Sequence, residues 1–237
     1  MSGASDEQPI DRRDLPPVTT GGRELRTEYA RWLDAIDDEL VGGGLLICEA
    51  LPRVTAAFLA GDRSIVALTR SMVADVRERA RFVEEQGFFL LAREAPVAGD
   101  LRRLVSILRL ITDVERSASL VGHVAGTLED VDPRQLPAPV RTQVEELGQR
   151  ASEVFRQGLD AWRRRDGLAL SEVADADQAV DALARGLVAQ ADQLTDAAQL
   201  IALGLLARYW ERLADHGVSF AHHGTFAVTG ERVEVGR

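Results

Sequence analysis

The sequence predicts an all-α protein: two tandem antiparallel three-helix bundles, six helices in all. Three observations predict it. Apolar residues recur at spacings of three and four over long stretches, and no segment alternates with period two for the length of a strand. Apolar residues make up 46% of the 237 residues but aromatic ones only 5%, so the core is built from Leu, Val, Ile and Ala, which suits helix-on-helix packing. The chain also repeats itself. "LAGDRSIV" is echoed by "RRRDGLAL" at an offset of 104, and "ITDVERSASLV" by "LARYWERLADHGV" at an offset of 96, which makes the second copy shorter by eight residues.

The elements follow in order. Residues 1–22 are polar, with paired prolines and glycines, and read as a tail. A stripe then runs from Leu25 through Tyr29, Trp32, Ile36, Leu40, Gly43, Ile47, Leu51 and Val54 to Phe58, keeping its phase through "VGGGLL". Three interior glycines each cost about 1 kcal/mol relative to alanine, yet the unbroken phase predicts one long helix. "AGDRS" ends it, with Asp62 as an N-cap for a second helix that carries Val66, Met72, Val73, Val76, Phe82 and Val83. Pro96 and Asp100 suit the start of a third helix, about 98–128, in which Leu101, Leu104, Leu108 and Ile111 lead to Glu115. Three prolines in "VDPRQLPAPV" mark 131–140 as a linker. The plan then recurs as a fourth helix from Val140 to Trp162, a fifth around Val173 to Leu187, and a sixth over about 193–228. The expected organisation is a tail (1–22), a first repeat (23–130), the linker (131–140) and a second repeat (141–237).

Charge and composition exclude several classes. The formal charge of −10 disfavours nucleic acid and anionic membrane surfaces as partners. All 28 basic residues are arginine, which removes P-loop, Schiff-base and kinase lysines together. The single cysteine, Cys48, sits among Leu46, Ile47 and Leu51 and reads as a small core residue. No signal-peptide run opens the chain, and no stretch of about 18 uncharged apolar residues spans a membrane. These features predict a cytoplasmic protein. Neither HExxH, GxSxG nor a Glu-x-x-His pair stands out, so the protein is expected not to be an enzyme.

One constellation remains. Extending the stripe Leu200, Leu203, Ala207 by a helical turn reaches Glu211 and then Asp215, and extending Leu104, Leu108, Ile111 reaches Glu115 and then Ser119. Carboxylates on an apolar face need a cation beside them. Arg208, three residues before Glu211, supplies one reading, and local chemistry favours it. A metal ion held by Glu211, Asp215 and Glu115 is the other. A metal-dependent enzyme or metal-storing bundle on those residues is the corresponding functional alternative.

The two copies of this pattern resemble the twin signatures of the PhoU family. The resemblance is carried by "EAPVAGDLRRLVSILRLITDVERSASLVGHVA" and "LARYWERLADHGVSFAHH", with "ALPRVTAAFLAGDRSIV" before the first and "FAVTG" at the close, over about residues 23–237. It implies tandem three-helix bundles, a homodimer, and a non-catalytic accessory that restrains the phosphate-starvation response. The implied partners are the ATPase subunit of the phosphate ABC transporter and a sensor histidine kinase. It also implies a metal ion of the iron or zinc class at Glu-x-x-x-Asp pairs. Glu211 and Asp215 match such a pair, Glu115 matches alone, and Ser119 departs from the pattern.

Overall fold

The structure, a computed structural model, describes residues 22–94, 96, 98–190, 194, 196–231 and 233. The expected tail lies outside these residues except for Gly22, and so does the side chain of Leu25. Six α-helices run in chain order: α1 (Gly22–Ala60), α2 (Ile65–Glu94), α3 (Ala98–Gly126), α4 (Ala138–Arg164), α5 (Leu170–Ala189) and α6 (Ala197–Thr229). Each triplet forms an antiparallel bundle, so the all-α, two-half architecture expected from the periodicity is the observed one. α3 packs against α6 and α1 against α4 to join the halves, while α2 and α5 pack mainly within their own.

α1 passes unbroken through its three glycines and through Pro52, which withholds one N–H from the helix ladder. The glycines are where neighbours press close. A Cβ at Gly43 would stand 2.9 Å from Val114 of α3, and one at Gly44 2.8 Å from Leu159 of α4. By length and composition, one 18-residue window of α1 is apolar enough to cross a membrane. In the fold its Leu40, Ile47, Leu51 and Val54 are core residues. Asp62 stands in the turn before α2, where its side chain accepts from the Ser64 N–H at 2.9 Å. The proline-rich segment between the halves holds 3-10 turns at Thr127–Glu129 and Pro133–Gln135, and its Val131 and Leu136 are buried.

Three residues of the expected apolar stripes, Trp32, Phe82 and Leu101, are more than a third exposed. Cys48 is partly buried against the core, and burial, with Asp160 nearby, pushes its thiol up to about 12, leaving it protonated and inert.

A polar network ties three helices at one end. Arg103 of α3 donates to Asp37 of α1 and, at 2.8 Å, to Asp34. The Trp162 indole of α4 donates to the other Asp37 oxygen at 2.7 Å. Asp37 is thus the shared acceptor for two largely buried donors. Asp37→Ala is expected to cost about 2–3 kcal/mol, because charged hydrogen bonds are lost, the Trp162 indole is orphaned and Arg103 keeps only Asp34. Urea unfolding of the variant would check this; a loss below half that value would show that water takes over the donors.

Candidate functional site

In α6 the buried positions include Leu203, Leu206, Ala207, Trp210, Leu213, Ala214, Gly217 and Phe220. The apolar stripe therefore advances past the carboxylates: Glu211 lies at its margin, half-buried, and Asp215 is exposed. The extrapolated stripe placed both on the core side. It missed because a real stripe drifts around the helix and because Trp210, one residue earlier, takes the inward position.

The side chains that face these acids come from α5, and sequence reasoning missed them. Asp177 Oδ1 is buried with no hydrogen-bond partner, and the Asp177 carboxyl is raised to about 7. Burial is the largest cause, followed by the negative charges of Asp215, Asp181 and Glu211. Four carboxylates of α5 and α6 thus act on one another through space. Asp177 and Asp181 are themselves four apart on α5, a second i,i+4 acid pair that a search for paired carboxylates could have found.

Arginine answers part of this charge. Arg208 donates to Glu211 at 2.6 Å, and Arg185 lies 3.9 Å from Asp181. The first half solves the same problem by composition. The offset of 104 carries Asp177 and Asp181 onto Val73 and Arg77, and the offset of 96 carries Glu211 and Asp215 onto Glu115 and Ser119. There Arg77 pairs with Glu115 at 3.6 Å, and Ser119 turns its hydroxyl to the Glu115 carbonyl at 3.2 Å. Replacement of an acid by serine is matched by replacement of two others by valine and arginine, so the local charge stays balanced.

The expectation of a metal ion of the iron or zinc class held by Glu211, Asp215 and Glu115 is corrected by this geometry. Among the described residues, no group of three or more His, Cys, Asp or Glu side chains is placed to hold a metal ion. Physically, Glu115 is engaged by Arg77 of its own half and Glu211 by Arg208, while Asp177 is half-protonated near neutrality. The residues do not fit the metal, and no chemistry is routed through one. The arginine reading accounts for Glu211 and Glu115.

Asp177 yields a test. A carboxyl raised in the folded state binds protons that the unfolded chain has already released, so its contribution to stability falls as pH rises from about 4 to about 7. Asp177→Asn is expected to raise Tm by a few degrees at pH 8 and to change it little at pH 5. A thermal melt series over that range checks the sign. An equal shift at both pH values would show that the Asp177 carboxyl does not titrate in this range.

Between the halves lies a second polar cluster. On α3, Ser117 Oγ donates to the Asp113 carbonyl at 2.7 Å and lies 2.7 Å from Nδ1 of His216 on α6. The serine proton is committed to the carbonyl, so His216 Nδ1–H is the donor to Ser117. Ser219 of α6 donates to the Asp113 carboxylate at 2.6 Å. Further along the same seam the His123 and Tyr209 rings stand 5.3 Å apart. Ser117 and His216 are buried and Asp113 and Ser219 partly so; the cluster joins the halves.

Comparison with known proteins agrees with this duplicated plan. A family model described as "PhoU domain" matches twice, at residues 44–127 and 144–223, once in each half. The phosphate-specific transport system accessory protein PhoU homolog 1 of Mycobacterium leprae is 32% identical over 213 residues, covering 87% of this chain and 95% of that one. The corresponding PhoU homolog 2 of Mycobacterium tuberculosis is 31% identical over 213 residues, covering 87% and 99%. Among solved structures, PhoU from Pseudomonas aeruginosa superposes with a TM-score of 0.80 at 21% identity, over 86% of this chain and all of that one. The phosphate transport system regulatory protein PhoU from Streptococcus pneumoniae gives 0.79 at 19%, over 87%. These likenesses confirm the fold. With two domain matches, one per bundle, and relatives aligned along nearly their whole length, the chain belongs to the PhoU family, whose members are non-catalytic regulators.

Proposed function

We propose that the protein is a regulatory accessory of phosphate homeostasis, acting in the cytoplasm as a homodimer. It restrains high-affinity phosphate uptake and the phosphate-starvation response by binding the transporter's ATPase subunit and a sensor histidine kinase. The observation that supports this most is the double domain match, combined with relatives of full-length similarity named as phosphate-specific transport accessories. The alternative of a metal-dependent enzyme loses its ground with the metal site. An acidic helical surface suits packing against partner proteins, in keeping with the net charge of −10.

Alkaline phosphatase activity in a deletion strain grown with abundant phosphate tests the reading. Activity is expected to be high in the mutant and low again after complementation by the wild-type gene. If the mutant stays low while purified protein binds neither partner, the reading is wrong.

A further inference from the structure

The two halves differ in their outer hairpins. In the first half, Leu108 of α3 covers Gly87 of α2 so closely that a Cβ at Gly87 would stand 2.6 Å from the Leu108 side chain. The offset of 96 carries Leu108 onto Gly204, and there a Cβ would meet nothing within 4 Å. The groove between α5 and α6 is consequently open, about 310 Å³, floored by Ala184 and Ala207. Its flanks are altered in the same sense. Solvent-facing Glu84 and Arg109 of the first half correspond to Val188 and Leu205, which are 54% and 46% exposed, and Val105 corresponds to Ile201, which is 65% exposed. A hole and three exposed aliphatic side chains lie on one face where the other half carries Leu108, two charged residues and a partly buried valine.

We infer that this α5–α6 face seats a second copy of the chain about a two-fold axis, with Leu205 of each copy entering the Gly204 groove of the other. Two features single out this occupant. A two-fold interface requires knob and hole on one patch, because each copy must offer what the other lacks. The groove's rim is also self-complementary in charge: Arg185 and Arg208 stand beside Asp181 and Glu211, so rotation can bring cations of one copy to acids of the other. In the first half one leucine, Leu108, covers the outer hairpin at Gly87.

This inference rests on the homodimer in the proposed function and specifies its surface. The test is sedimentation equilibrium of the full-length chain from micromolar to submillimolar concentration. Leu205→Glu places a charge on the knob; Gly204→Leu plugs the hole from within; Arg109→Glu is the control at the corresponding place in the first half. Circular dichroism checks that each folds. The wild type and the control are expected to dimerise alike, and both groove variants to raise Kd at least about tenfold. A wild type that stays monomeric overturns this inference together with the homodimer. A dimer left intact by both folded groove variants overturns the surface alone and leaves the homodimer standing.

Discussion

Gly158→Ala is expected to destabilise the protein by about 3 kcal/mol, although alanine is the better helix former by about 1 kcal/mol. The reason is the approach of α4 to α6. A Cβ at Gly158 would fall on the Gly217 carbonyl oxygen, and one at Gly217 would stand 2.6 Å from the Val154 carbonyl oxygen. The obstacle is backbone on both sides, so no rotamer relieves it and the helices must separate. Separation loosens the neighbouring edge-to-face contact of Phe155 and Phe220, whose centroids lie 5.8 Å apart. Gly204→Ala is the matched control. Within its own chain it meets open space, so for the monomer only the helix-propensity gain remains, and a stabilisation of roughly 0.5–1 kcal/mol is expected. Urea unfolding of both variants measures the contrast. Equal effects at 158 and 204 would show that α4 and α6 can slide apart without cost.

Acid is expected to weaken the seam between the halves. The pKa of His216 is lowered, first by burial and then by Arg212 and Arg116, against the opposing carboxylate of Asp113. A lowered histidine holds fewer protons in the folded than in the unfolded chain, so stability falls as pH drops below the unfolded value of about 6.5. The loss has a ceiling. If folded His216 stayed neutral throughout, it would reach about 2 kcal/mol at pH 5, since each unit of separation is worth 1.36 kcal/mol. Asp177 opposes this, gaining stability as its raised carboxyl protonates below about 7. The two nearly cancel in the wild type and separate by variant: Asp177→Asn is expected to lose stability from pH 7 to pH 5, and His216→Gln to gain it. Chemical denaturation at pH 5, 6 and 7 reads both. An unchanged profile in His216→Gln would place the titration elsewhere.

How much of the site could be read from the chain follows from where its interactions lie. Glu211 and Arg208 are three apart on one helix, and their pairing was available from spacing alone. Arg77 and Glu115 belong to different helices, and no spacing brings them together. Asp177 and Asp181 were visible as a pair, but their confrontation with Glu211 and Asp215 depends on how α5 docks on α6. The metal expectation failed at that step. A carboxylate pair on one helix fixes two directions in space, whereas a metal needs several donors converging on one point.

By itself the sequence determined the helices and their duplication, because helical periodicity, capping and repeats are local or linear in the chain. Even the passage of α1 through three glycines was legible, since phase counts residues and is indifferent to the cost of each. Only the tertiary structure decided which face of α6 turns inward, which acids meet arginines, and which of two related grooves is filled. Leu108 and Gly204 are each unremarkable in the sequence. Their meaning comes from what stands opposite, and that is set by the packing of whole helices, where a single side chain closes one groove and its absence leaves the other open.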